Sequence, residues 1–316
     1  MKQRIITGAT LVAILVLVLL ARQLSTYIFD AFMVIIAMYA CYETSRLFAK
    51  MGVYNNKYFA IEYPLFAYGL FVLCLNLDMR WYMLILMELA LIIVFVMAQG
   101  FLSLIMYKST KNEIATRNLK LRVESFSIYK AIQTMYIYLY PAILMLFFVF
   151  INDIAVMSDY FTTYTSNALF LISTFGLILT FIIPIFTDTF AYLTGSLFKG
   201  KKLCPKISPN KTISGAVGGA FWGTISAVLL YLIFNAFDMY AEVFTQVGFA
   251  FWHFIIIGFI ASVVCELGDL LESYIKRKAN VKDSGDILPG HGGILDRMDS
   301  HIVCAPLIFI FLVILL

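Results

Sequence analysis

Apolar and polar stretches alternate along this chain with a long period, and neither strand-like alternation nor a short helical stripe governs the pattern. Nine apolar segments stand out, near residues 5–21, 26–42, 58–76, 81–106, 132–152, 167–187, 215–236, 246–265 and 300–316. A helix of about 20 apolar residues crosses a bilayer, and a helix is favoured there because it satisfies every backbone polar group internally. The pattern therefore predicts an all-α polytopic membrane bundle of about nine transmembrane helices. The chain divides, on this reading, into an N-terminal scaffold (1–152) and a C-terminal catalytic region (153–316) within one membrane unit. No repeat of 20–50 residues and no low-complexity segment interrupts it.

The connections carry the orientation. With the N-terminus inside, the inner segments hold 21 of the 23 Lys and Arg residues, and only Arg22 and Arg80 fall outside. Basic residues concentrate on the cytoplasmic side of membrane proteins. The expectation is a cytoplasmic N-terminus, an external C-terminus and long polar inner loops where chemistry takes place.

Composition agrees with the pattern. The chain is 62% hydrophobic and 13% charged, with a mean hydropathy of +0.91, far more apolar than a soluble core requires. The net charge of +4 and the lack of a long basic run give no footing for nucleic acid. Cys41, Cys74, Cys204, Cys265 and Cys304 are scattered without CxxC spacing, so neither a disulfide framework nor a zinc site is expected. The apolar run after Lys2 and Arg4 is too long for a signal peptide core and is expected to be retained as the first span. Asp30, Glu62 and Glu88 lie within the early spans. They read as structural hydrogen-bonding groups, since the dense charge lies elsewhere.

That density lies in Ser273–Asp299. These 27 residues hold three lysines, two arginines, four aspartates, one histidine and four glycines. Glu266, Asp269, Ser273 and Lys276 form one helical stripe leading into it, and a Glu272–Lys276 pair fits an exposed helix face. Pro289, Gly290, Gly292 and Gly293 permit a tight loop whose N–H groups point into one cavity, an anion-binding nest around His291. Asp296 and Asp299 follow at i, i+3, so both can face one way, and Asp299 or Ser300 can cap the last helix. Upstream, Asp188, Tyr192 and Gly195 share a helix face, one turn beyond Pro184, which should bend that helix. Asp188 reads either as a metal ligand or base, or as a boundary aspartate meeting a loop lysine. Ser208-Pro209-Asn210 signals a turn, and Lys211 and Thr212 precede a helix start with free N–H groups, a ready phosphate site. Gly215 and Gly219 form a GxxxG, read as close packing within the chain or between two copies.

Carboxylates at Asp188, Asp269, Asp296 and Asp299 suit hard divalent ions, and magnesium prefers such oxygens beside phosphates. Lys276, Arg277, Lys282 and Arg297 are matching cations for phosphate. Phosphoryl or nucleotidyl transfer is the chemistry this set serves. A secondary transporter would place its charges near the midplane, and a CDP-alcohol phosphotransferase would carry a DGxxAR-type motif that this chain lacks. A lipid or polyprenol kinase using CTP is the nearest rival.

The run Ser273-x-Ile275-Lys276-Arg277-x4-Lys282-Asp283-x-Gly285-x2-Leu288-Pro289-x-His291-Gly292-Gly293-Ile294-x-Asp296-Arg297-Met298-Asp299 resembles the motif of phosphatidate cytidylyltransferases, also called CDP-diacylglycerol synthases. Asp188, Ser208, Pro209, Lys211, Thr212 and Gly215 resemble that family's second region, with one departure at Ser214, where many members carry glutamate. The resemblance implies transfer of CMP from CTP to phosphatidic acid, dependence on Mg2+ with a second cation such as K+, and a homodimer among membrane lipids. It implies metal ligation by Asp269 and Asp296, with Asp299 and Asp188 in or near the same centre, and phosphate binding by Lys276, Arg277 and Arg297. Ser208, Lys211, Thr212, Lys282, Gly292 and Gly293 are further candidates for substrate binding, with His291 shaping the loop, binding phosphate or acting in catalysis. The cell membrane, with the site on its cytoplasmic face, is the expected location.

Overall fold

The computed structural model describes residues 2–52, 56–77, 79, 81–110, 135–157, 161, 163–290 and 292–316. The basic stretch from Lys111 to Lys130, together with Arg80, Asp159 and His291, lies outside the described residues. Each apolar segment of the sequence falls on a helix. These are α1 (Lys2–Ala21), α2 (Thr26–Lys50), α3 (Lys57–Asn76), α4 (Trp81–Thr110), α5 (Leu144–Asn152), α6 (Ser166–Phe198), α7 (Ile213–Asn235), a short α8 (Asp238–Val247), α9 (Phe251–Lys278) and α10 (Leu295–Leu315). Among the described residues, eight helical segments are long and apolar enough to cross a membrane, and α1 adds a shorter apolar helix over Ile6–Ala21. The protein is an integral membrane protein.

Local sequence accounts for the helix ends. Asn56 and Thr165 each accept a backbone N–H at the starts of α3 and α6, and Gly248 closes α8 in the left-handed conformation. α6 continues through Pro184. Before α5, Pro141 sits in a π-helical turn, Tyr138–Ile143. A wider turn accommodates a ring that removes an N–H and crowds the preceding carbonyl.

Small residues bring α6, α7 and α9 together. A Cβ on Gly215 would lie 2.7 Å from the Ala191 carbonyl of α6, and one on Gly219 would lie 2.9 Å from the Thr187 carbonyl. Gly223, one turn further, faces the Thr187 and Ser262 side chains. The glycine pair seen in the sequence therefore serves packing within the chain, where dispersion and close backbone approach replace the hydrophobic drive absent in lipid.

Two polar clusters mark the ends of the bundle. At one, the buried Arg22 donates to Asn152, Ser173 and Thr174 and lies over the Phe170 ring. Asn152 donates to Asp30 and Asp153 at 2.8 and 3.1 Å, and Tyr68 donates to Asp30 at 3.2 Å. Burial lowers the Arg22 guanidinium to about 10, against the pull of Asp153, Tyr240 and Asp30. Asp30 thus has the structural role expected of it. So does Glu88, which accepts from Tyr63 at 3.3 Å. Glu62 differs: it is exposed on the second turn of α3, outside the bundle. At the opposite end, the start of α1 meets the loop before α10, where Thr7 donates to the Pro289 carbonyl at 3.1 Å. The ends of α2, α6 and α9 gather there as well. This grouping follows the alternation that the charge pattern requires.

One element departs from the all-helical expectation. Residues 202–212 form a small antiparallel hairpin, β1 (Lys202–Cys204) with β2 (Ser208–Thr212). Ser208-Pro209-Asn210 is thus a strand and not a turn. The reversal lies one step earlier, where Ile207 N–H bonds the Cys204 carbonyl at 3.1 Å. Pro209 is tolerated because a two-stranded ribbon leaves one side of each strand unpaired.

Candidate active site

The site is built at the end of the bundle where α6, the hairpin, α9 and α10 converge. α9 runs beyond its apolar segment because Glu266, Asp269, Ser273 and Lys276 turn to one side of it. Its last turn carries Lys276, Arg277 and Lys278, which suits the negative end of a helix dipole. From the hairpin, Lys211 reaches back and pairs with Asp269 at 2.6 Å. Ser273 donates to the other Asp269 oxygen at 3.2 Å.

A cavity of about 780 Å³ opens beside this pair, and Asp188, Tyr192, Gly195, Lys211, Glu266 and Asp269 are among its lining residues. The face predicted for Asp188, Tyr192 and Gly195 is therefore the wall of a cavity. Ser300 donates to Asp188 at 3.2 Å, and the Ser300 N–H donates to Asp299 at 2.7 Å, so one residue ties both aspartates together. Asp299 lies close enough to Asp188 and Asp269 to repel both. One oxygen of the buried Glu266 has no hydrogen-bond partner. These groups form an acidic patch at the mouth of apolar helices, answered chiefly by Lys211.

Asp296 belongs to a different neighbourhood. Lys276 donates to one of its oxygens at 2.6 Å and also pairs with Glu272, which is 0% exposed. The other Asp296 oxygen accepts from Ser284 N–H, Ser284 Oγ and Gly293 N–H at 2.8, 2.9 and 2.8 Å. Asp296 and Asp299 therefore point at different partners, although they are three residues apart. The Glu272–Lys276 pair is buried, so the small value of an exposed i, i+4 pair does not apply to it.

Helix α10 starts at Leu295, which places Asp299 and Ser300 in its second turn and removes the expected cap from both. Its free amides are met from elsewhere: Glu43, on α2, accepts from Ile294 and Leu295 N–H at 3.1 and 2.8 Å and from Ser284 Oγ at 3.1 Å. Gly292 N–H bonds the Leu288 carbonyl, closing a tight turn through Gly290 and Gly292, both at positive φ. Two of the loop amides predicted to form an anion nest, those of Gly292 and Gly293, are thus taken by the protein's own acceptors, the Leu288 carbonyl and Asp296. Glu43 escaped sequence reasoning. Its only signal is an acid at the end of the second apolar run, and its partners lie more than 240 residues later.

The chain matches the sequence pattern of the Cytidylyltransferase family over residues 2–315. The chain belongs to the cytidylyltransferase family. Among curated relatives, a phosphatidate cytidylyltransferase of Rickettsia felis is 48% identical over 122 residues, 39% of this chain and 52% of that protein. One from Staphylococcus saprophyticus is 47% identical over 133 residues, 42% of this chain and 47% of that protein. One from Staphylococcus aureus has the same identity and coverage. The chain spans about half the length of the curated relatives it matches.

The remaining candidates separate. Lys282, Gly292 and Arg297 line a second cavity of about 670 Å³ with Asp283, Asp286, Leu288 and Gly290. Thr212 lines the first cavity, but its hydroxyl caps α7 by accepting from Gly215 N–H at 3.1 Å. Ile213 N–H bonds the Lys201 carbonyl at 2.9 Å. Two of the amides expected to be free at the start of α7 are therefore satisfied within the protein. Ser208 pairs with Cys204 and lines neither cavity. Arg277 binds the Ile207 and Val281 carbonyls at 3.2 and 3.3 Å, tying the hairpin to the end of α9. Gly293 packs against Glu43, where a Cβ would come within 2.5 Å of both carboxylate oxygens.

Proposed function

We propose that this chain is a CTP:phosphatidate cytidylyltransferase that transfers CMP to phosphatidic acid, giving CDP-diacylglycerol and pyrophosphate. The observation that carries this reading is the meeting of Asp188, Lys211 and Asp269 in a cavity at the mouth of membrane helices, beside Asp299. The names of the relatives support it. Exposed apolar residues Tyr192, Leu197 and Phe198 of α6 and Val217 of α7 flank this cavity, a surface that suits acyl chains next to a phosphate site.

A phosphatidate oxygen attacks the α-phosphorus of CTP, a new P–O bond forms, and the bond from the α-phosphorus to the bridging oxygen breaks as pyrophosphate leaves. The attacking phosphate is largely ionised at neutral pH, so no strong general base is required. Lys211 orients phosphate from the hairpin, and Lys276, held between Glu272 and Asp296, anchors Asp296 and the loop before α10. Lys282 and Arg297, which line the second cavity, supply positive charge to the polyphosphate on this reading.

The carboxylates of Asp188, Glu266, Asp269 and Asp299 are hard oxygen donors of the kind magnesium takes, and one Glu266 oxygen is buried without a partner. Among the described residues, however, no three acidic, histidine or cysteine side chains are grouped closely enough to hold an ion as they stand. Asp188, Asp269 and Asp299 would hold it, with Asp296 fixing the adjoining loop. When bound, it would neutralise charge on phosphate oxygens. A second cation such as potassium is compatible with the remaining acidic oxygens. The site faces the cytoplasm of the cell membrane on this reading, where CTP is found. A homodimer would use a face other than the Gly215–Gly219 seam, which α6 already covers.

CTP labelled in the base, incubated with the purified chain, phosphatidic acid and magnesium, tests the proposal. Label is expected in the lipid fraction. Label found only in CDP would instead identify a CTP-dependent lipid kinase.

A further inference from the structure

Glu43 lies on α2, far in sequence from the motif, and is 1% exposed. Its two oxygens receive three donors: Ile294 N–H on one, Leu295 N–H and Ser284 Oγ on the other. Residue 294, where a capping side chain would sit at the start of α10, is isoleucine and accepts nothing. The first turn of α10 therefore needs an acceptor from elsewhere, and α2 supplies it. Gly285 and Gly293 both press against the Glu43 carboxylate, leaving no room for a Cβ at either position. Two glycines of the motif are thus explained by an acid outside it.

The contact continues toward the chemistry. Ser284 Oγ lies 3.1 Å from Glu43 and 2.9 Å from Asp296, so one hydroxyl joins the two carboxylates. Asp296 in turn holds Lys276 at 2.6 Å. Glu43 lines neither cavity. We infer that Glu43 is a positioning residue: through Ser284 and the first turn of α10 it sets Asp296, and through Asp296 it sets the Lys276 ammonium. The inference rests on the reading of this site as a cytidylyltransferase. It also makes the scaffold half of the chain a working part of the site.

The test compares the purified full chain with E43Q, S284A and, as a matched acid on the exposed side of α3, E62Q. E43Q keeps size but turns one acceptor into a donor facing N–H groups. S284A removes the hydroxyl that joins Glu43 to Asp296 while leaving the Ser284 N–H bond to Asp296 and the Glu43 contacts to α10. The measurements are amide hydrogen exchange and steady-state kinetics with CTP and phosphatidate in micelles. In E43Q, exchange at residues 293–295 is expected to rise about tenfold or more, with kcat and kcat/KM falling together by a similar factor. In S284A, kcat is expected to fall while exchange at Ile294 and Leu295 stays as in the parent. E62Q should match the parent in both. Unchanged exchange in E43Q, or parental kcat in a folded E43Q or S284A, would overturn the inference. If the parent forms no CDP-diacylglycerol, the functional reading fails, and the exchange data still decide whether Glu43 holds the loop.

Discussion

Lys276 stands between two carboxylates, Glu272 and Asp296, and all three side chains are largely buried. A buried pair contributes little over an apolar substitute, but removing one partner leaves uncompensated charge. Lys276→Met should therefore destabilise the folded protein by about 3–5 kcal/mol, seen as a lower Tm in detergent. Lys276→Met combined with Glu272→Gln should recover part of that loss; a double variant no more stable than the single would show that charge balance is not the cause. Asp269 is different because it lies at the cavity edge, about a quarter exposed. Asp269→Asn should keep the Tm within a few degrees and lower kcat by about 10²-fold or more, and near-parental turnover would remove Asp269 from the site. At this scale helix spacing was legible in one dimension and put Asp188, Tyr192 and Gly195 on one face, which lines the cavity; the meeting of Asp188, Lys211 and Asp269 joins three separate elements and is made by the fold. The sequence could not show that Asp296 and Asp299 diverge. Their spacing allows a common face, and the choice is made by Ser284, Gly293 and Ser300.

Among elements, the contact of α6 with α7 depends on glycines whose missing side chains admit backbone. Gly215→Ala would set a methyl 2.7 Å from the Ala191 carbonyl, a neighbour that cannot rotate away. A loss of about 1–3 kcal/mol is expected from such overpacking. Gly69→Ala on α3 meets nothing within 4 Å and should be neutral or slightly stabilising, since alanine is the better helix former. Thermal unfolding of the two variants side by side makes the comparison; equal Tm values would contradict the packing account. Among the described residues, the eight long apolar helices and the shorter one over Ile6–Ala21 were legible because lipid allows so few backbone solutions. The hairpin at 202–212 was not, since its short, lysine-rich strands lack apolar alternation and rest on pairing between β1 and β2. Glu43 was hidden for a related reason: two of its three donors are backbone amides, which leave no trace in residue identity.

Among the described residues, the polar clusters segregate to opposite ends, with Arg22, Asp30 and Asn152 at one and the candidate-site groups at the other. The proposed orientation, drawn from the charge pattern, has the candidate-site end facing the cytoplasm. In a Cys204→Ser background, Lys206→Cys lies on the exposed hairpin turn and Val156→Cys on the opposite end. An impermeant maleimide added to right-side-out vesicles should label position 156 and reach 206 only after permeabilisation; the reverse pattern would invert the topology. Such an orientation would put the cavity beside α6 at the surface where the proposed substrates, CTP and the phosphatidate headgroup, are both within reach. The most direct test of the account remains the fate of the nucleotide. Purified protein given base-labelled CTP, phosphatidic acid and magnesium should move the label into lipid with release of pyrophosphate, and label that stays in soluble nucleotide would contradict it.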